Sequence, residues 1–89
     1  VTIKNRLGLH ARPAMAFVDT ASQFASAVTV RRADQTGPDA EIVDGKSIME
    51  MMLLAATMGT QLDVEAQGAD ARSCCAALVE LVERGFDEE

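Results

Sequence analysis

Gln61-Leu62-Asp63-Val64-Glu65-Ala66-Gln67, followed by Gly68-Ala69-Asp70, is the stretch on which the fold turns. Leu62, Val64 and Ala66 fall on one side of an extended chain, and the polar residues fall on the other. Such a strand is half-buried and belongs to a sheet with one face open to water. Gly68 stops it, and Asp70 is placed to cap a helix. In that helix Cys74, Cys75, Leu78, Leu81 and Val82 form the buried stripe, and Gly85 ends it. Working back along the chain, Ser47-Ile48-Met49-Glu50 has the form of a capping box before a short helix that Gly59 closes. Glu41–Val43 and Val28–Arg31 read as two short strands. Between them Asp34–Asp39, with Gly37-Pro38, reads as a turn. A helix is predicted from near Pro13 to about Gln23 on the stripe Ala14, Phe17, Val18, Ala21 and Phe24. Val1–Lys4 alternates as a first strand. The predicted order is β-α-β-β-α-β-α: an α+β two-layer, open-faced sandwich, with a four-stranded antiparallel sheet covered by three helices on one face. Residues 1–89 are expected to form one domain.

Composition excludes several classes of function. A chain of 89 residues has no apolar run long enough to cross a bilayer. Its net charge is −6, with no Trp or Tyr, which argues against nucleic acid as the main partner. The charge is uneven: residues 1–46 carry six Lys/Arg against five acids, and residues 47–89 carry two against nine. The basic first half is therefore the part suited to an anion. Cys74 and Cys75 are adjacent, so they read as reduced thiols rather than a disulfide scaffold. No secretory leader is visible ahead of Val1, and a cytoplasmic location is expected.

The chemistry-bearing segment is Gly8-Leu9-His10-Ala11-Arg12-Pro13-Ala14, which holds the one histidine of the chain. It lies where a strand gives way to a helix. The first helical turn offers unpaired N–H groups and the positive end of the macrodipole. No short side-chain acceptor stands there to cap them, so an anion on or beside His10 would serve. Arg12 adds a permanently charged planar fork that suits phosphate oxygens. A lone His-x-Arg at a helix start is also compatible with an ordinary surface histidine.

Residues 1–86 resemble the HPr family, the histidine phosphocarriers of the bacterial phosphoenolpyruvate:sugar phosphotransferase system. Residues 8–14 are similar to the family's active-site signature, Lys46-Ser47-Ile48-Met49 to its regulatory-serine signature, and Gly68-Ala69-Asp70 to its helix start after the last strand. The resemblance implies that His10 accepts phosphate on Nδ1 from phospho-enzyme I and passes it to a histidine of an enzyme IIA domain. It implies that Arg12 neutralises the phosphoryl group and that the backbone N–H groups of Ala11 and Arg12 bind its oxygens. Such a protein is a carrier and a substrate of its partners, not an enzyme, and needs no cofactor. A monomer is expected. Leu7 departs from the polar residue that some members carry there, which puts a hydrogen bond behind the histidine in doubt.

Ser47 has an ordinary role as a helix cap. The resemblance adds phosphorylation by an HPr kinase/phosphorylase, whose added charge would act at a partner interface. The short helix cannot bury all its apolar residues. Met51 and Leu54 are assigned to the core. Ile48, Met49 and Met52 are assigned to an exposed docking patch beside His10, with Lys46 and Arg12 as a basic rim. Adaptable methionines suit a carrier with several partners. Three other readings are open. A paralogue serving a nitrogen-regulatory branch would use the same His10. An acylphosphatase-like enzyme would need a Gly-rich phosphate cradle and a water-orienting Asn, and Asn5 alone is available. A zinc site would need about four ligands, and Cys74-Cys75 with a remote His10 does not form a chelate. No metal site is therefore expected.

Overall fold

A computed structural model describes residues 1–35, 37 and 40–88. In chain order the elements are α1 (Ala11–Ala21), β1 (Ala27–Arg32), β2 (Val43–Asp44), α2 (Ile48–Leu53), β3 (Leu62–Gln67) and α3 (Ala71–Glu83). A single turn over Gly85–Asp87 follows. Among the described residues the sheet has three strands, in the order β2-β1-β3, with both pairings antiparallel. The expected architecture of helices over an antiparallel sheet is present, and the alternation predicted for β3 is observed. Leu62 is buried, while Asp63, Glu65 and Gln67 face water. Val28 and Val30 of β1 point into the same core, against Phe17, Met51, Leu78 and Val82.

The fourth strand is a correction. Val1–Lys4 makes one isolated antiparallel bridge, Thr2 with Gln61. Around it Ile3 N–H donates to Thr60 O at 2.9 Å, and Leu62 N–H donates to Val1 O at 2.7 Å. Val1 and Leu62 exchange both N–H···O bonds, but beyond them the segment meets the turn that leads into β3, where Thr60 N–H bonds Thr57 O and Gly59 N–H reaches Ile3 O in its place. A partner that bends away cannot sustain a ladder. Ile3 is nevertheless only 1% exposed, so burial of this side chain holds the segment in place.

Three boundaries also move. α1 begins at Ala11, two residues before Pro13, and His10 is its N-cap residue. Pro13 still lies within the first turn, where its missing N–H costs nothing. The helix stops at Ala21, because Gln23 and Phe24 bond to the carbonyls three residues back. The strand expected at Glu41–Val43 forms at Val43–Asp44, paired to Val30 and Thr29. The predicted turn before it includes Thr36, Pro38 and Asp39, which lie outside the described residues.

Asp70 occupies the N-cap position of α3 but does not cap it. Its carboxylate accepts from Ala25 N–H at 2.8 Å, from Ser26 N–H at 2.9 Å and from the Ser26 hydroxyl. These bonds, that of the Ser26 hydroxyl foremost, hold Asp70 below the usual carboxylate range. They tie the end of β3 to the start of β1 and satisfy the buried Ser26. Cys74 is buried in the core, and burial pushes its thiol up; Cys75 is partly exposed, and both are free thiols.

Candidate functional site

Gly8 sets the position of the site. It adopts φ +70°, and a Cβ there would lie 2.5 Å from Ala56 O and 2.9 Å from Thr57 Cα. Only glycine accepts both the left-handed conformation and that close approach. The loop therefore presses against the chain leaving α2, and Leu9 N–H donates to Ala56 O at 2.8 Å. Leu9 is buried, so the chain turns outward at His10.

His10 caps α1 in position only: its backbone is extended and its side chain makes no cap hydrogen bond. Ala14 N–H reaches His10 O at 3.0 Å, while the N–H groups of Ala11 and Arg12 have no partner among the described residues. Pro13 has no N–H to offer. The Arg12 side chain is exposed and makes no ion pair among the described residues. Two backbone donors without partners among the described residues, the positive helix end and an uncommitted guanidinium thus meet at one histidine, an arrangement suited to an anion.

The ring is held from its other side. His10 Nε2 lies 2.8 Å from Glu88 Oε1. Glu88 Oε1 also accepts from Asn5 Nδ2 at 2.8 Å, and Asn5 Nδ2 donates to Gly8 O at 2.7 Å. The bond from His10 holds the Glu88 carboxyl below its ordinary range, aided by Asn5 and the nearby Arg12 charge, while desolvation opposes them. An ionised carboxylate only accepts, so Nε2 carries the proton. Sequence reasoning missed Asn5 and Glu88. Gly85-Phe86 was the available signal, because an apolar residue just past a helix-ending glycine anchors the chain that follows. Leu7 is exposed, and the hydrogen bond behind the histidine comes instead from Glu88, which Asn5 holds.

α2 runs antiparallel to α1. Lys46 Nζ, just ahead of α2, donates to Phe24 O, just beyond the C-terminal end of α1, at 2.8 Å. The far end of α2 leads to Ala56, which bonds Leu9 at the start of α1. Lys46 therefore does not rim the His10 site. It sits at the other end of α1, roughly 16 Å away at 1.5 Å per residue. Ser47 lies at that distant end too, where its Oγ accepts from Glu50 N–H at 3.3 Å. The capping box is half made, because the Glu50 carboxylate accepts from Asp44 N–H rather than from Ser47 N–H. The predicted division of α2 holds: Met51 is 0% and Met49 81% exposed, Leu54 is buried, and Ile48 and Met52 face water. Leu53 and Met15 are exposed as well. Among the described residues no cluster of His, Cys, Asp and Glu could hold a metal ion.

The family profile described as "PTS HPr component phosphorylation site" matches residues 1–84. The chain belongs to the HPr family. It is 49% identical over 88 residues to the phosphocarrier protein HPr of Pseudomonas putida, covering 99% of this chain and 92% of that one. It is 40% identical over 89 residues to the phosphocarrier protein NPr of Proteus mirabilis, covering 100% of this chain and 93% of that one. The crystal structure of HPr-C-His from Thermoanaerobacter tengcongensis superposes with a TM-score of 0.86 at 43% identity, covering 100% of this chain and 93% of that one. As an HPr of the phosphotransferase system, the chain is a phosphocarrier.

Proposed function

We propose that His10 is the group that carries the phosphoryl, received from phospho-enzyme I and delivered to enzyme IIA domains for sugar uptake. The observation that carries this reading is the α1 start, where His10 stands at an uncapped helix end beside the free Ala11 and Arg12 N–H groups. Those two N–H groups bind the phosphoryl oxygens, and Arg12 neutralises their charge in both transfers. Transfer of this kind rests on positioning and electrostatics. The protein is a substrate of its partners and turns over nothing itself, acting as a single-domain monomer in the cytoplasm.

Ile48, Met49 and Met52 are proposed as the docking face for those partners, supported by their exposure and by the return of α2 toward the His10 loop. Ser47 is proposed as a regulatory phosphorylation position. Incubation with an HPr kinase and intact-mass measurement would add one phosphate to the wild type and none to Ser47→Ala. The higher identity to an HPr than to an NPr supports the sugar branch over a regulatory paralogue.

Labelling with phosphoenolpyruvate and enzyme I tests the assignment. The wild type takes up one phosphoryl group, and His10→Ala takes up none while keeping its circular dichroism spectrum and thermal midpoint. Normal labelling of His10→Ala would remove the assignment.

A further inference from the structure

Beyond α3 the chain turns back in a conformation that L-residues seldom adopt. Gly85, Phe86 and Asp87 have φ of +68°, +57° and +61°. Glycine tolerates this, but Phe86 and Asp87 adopt it against their steric preference. Strain of this kind persists only where surrounding contacts over-determine it. Here Phe86 is buried in the core, Arg84 Nε holds Asp87 Oδ1 at 2.9 Å, and Glu88 N–H donates to Gly85 O at 3.0 Å. The outcome of the turn is the placement of Glu88 against His10 Nε2. Asn5 fixes the carboxylate from behind; it is 1% exposed, and its Oδ1 has no partner among the described residues. The Asn5 amide cannot be reversed, because its oxygen would then face Gly8 O and Glu88 Oε1.

We propose that Glu88 is a positioning residue for phosphotransfer, fixing the His10 ring and its tautomer so that Nδ1 presents the lone pair. The proposal rests on His10 as the phosphoryl acceptor. Which ring nitrogen is free is set by the hydrogen bond the other makes. With Nε2 committed to Glu88, Nδ1 is the nucleophile. In the acceptance step the Nδ1 lone pair forms the bond to phosphorus, and the phosphorus–donor bond breaks with its electron pair going to the donor. The phosphorylated ring keeps the Nε2 proton and carries a positive charge opposite the Glu88 carboxylate. In delivery the acceptor's lone pair attacks phosphorus, and the Nδ1–P electrons return to the ring. No proton enters or leaves His10 in either direction. The same division of roles lets a buried aspartate orient a catalytic histidine in hydrolases.

The test compares wild type, Glu88→Gln and Glu88→Ala in phosphorylation by phosphoenolpyruvate and catalytic enzyme I. Imidazole 15N shifts of the unphosphorylated neutral ring are measured in parallel. Glu88→Ala is expected to slow phosphorylation about tenfold, as loss of a histidine-orienting partner does elsewhere. Its two ring nitrogen shifts move toward each other as the tautomers mix. Glu88→Gln keeps an acceptor oxygen and retains the wild-type tautomer, with an intermediate rate from the lost charge. Thermal midpoints establish that all three proteins are folded. A Glu88→Ala protein with the wild-type rate, or with wild-type nitrogen shifts whatever its rate, overturns the proposal. Failure of the wild type itself to label at His10 would instead overturn the carrier assignment.

Discussion

The starts of α1 and α2 solve one physical problem in opposite ways. Each exposes backbone donors that need a partner. At α2 the need is met within the protein, by the Ser47 hydroxyl on Glu50 N–H. At α1 it is left open: His10 makes no cap, and Arg12 stands exposed with no ion pair among the described residues. A capped start stabilises the protein, whereas an uncapped start beside the proposed phosphoryl acceptor gives up stability and leaves room for an anion. Natural proteins depart from good local design at functional positions, and the contrast between the helices marks this one.

The largest expected effect comes from converting the open start of α1 into a capped one. His10→Ser supplies a cap, so stability should rise by about 0.5–1 kcal/mol while phosphorylation is lost altogether. Denaturant unfolding and phosphoryl labelling measure the two, and a loss of stability would mean that the α1 start is not short of a cap. Next is Arg12→Lys, which keeps the charge but removes the planar fork. Loss of one charge-assisted hydrogen bond of about 1.5 kcal/mol slows transfer roughly tenfold; equal rates would show that charge alone suffices. Ser47→Ala should cost about 1 kcal/mol of stability with little change in transfer, and unfolding midpoints set beside transfer rates would expose any other pattern. The smallest effect concerns α3, whose N-cap residue binds across the fold. Asp70 is held below its unfolded carboxylate value, so the folded state binds fewer protons there. Its contribution is complete above roughly pH 4 and is lost as the pH falls through the lowered value. Between pH 5 and pH 3 the wild type should lose more stability than Asp70→Asn. Parallel losses would assign acid sensitivity to other groups.

What was legible in the sequence follows the same contrast. Alternation along Leu62–Gln67 and the apolar stripes of α1 and α3 revealed the layers, because burial of one face dictates the period. His10 and Arg12 stood out through an unusual helix start, a purely local signal. What the sequence hid depends on distant pairing. Val1–Lys4 alternates like a strand, yet past Leu62 and Gln61 its partner turns away at Gly59 and Thr60. Asp70 has the position of a cap, yet Ser26 and Ala25, 44 and 45 residues away, compete for its carboxylate. Lys46 lies beside the proposed docking helix in sequence, but the antiparallel packing of α1 and α2 carries it away from His10. Glu88 lies 78 residues from His10 and reaches it only through the strained turn at Phe86.

The open start of α1 is proposed to hold a phosphoryl group in transit. Isolated phosphorylated protein, freed of phosphoenolpyruvate and enzyme I and mixed with an enzyme IIA domain, tests it most directly. The label is expected to leave His10 and appear on the IIA histidine, with unmodified protein regenerated and little inorganic phosphate released. Label that stays on the chain, or departs only as inorganic phosphate, would contradict it.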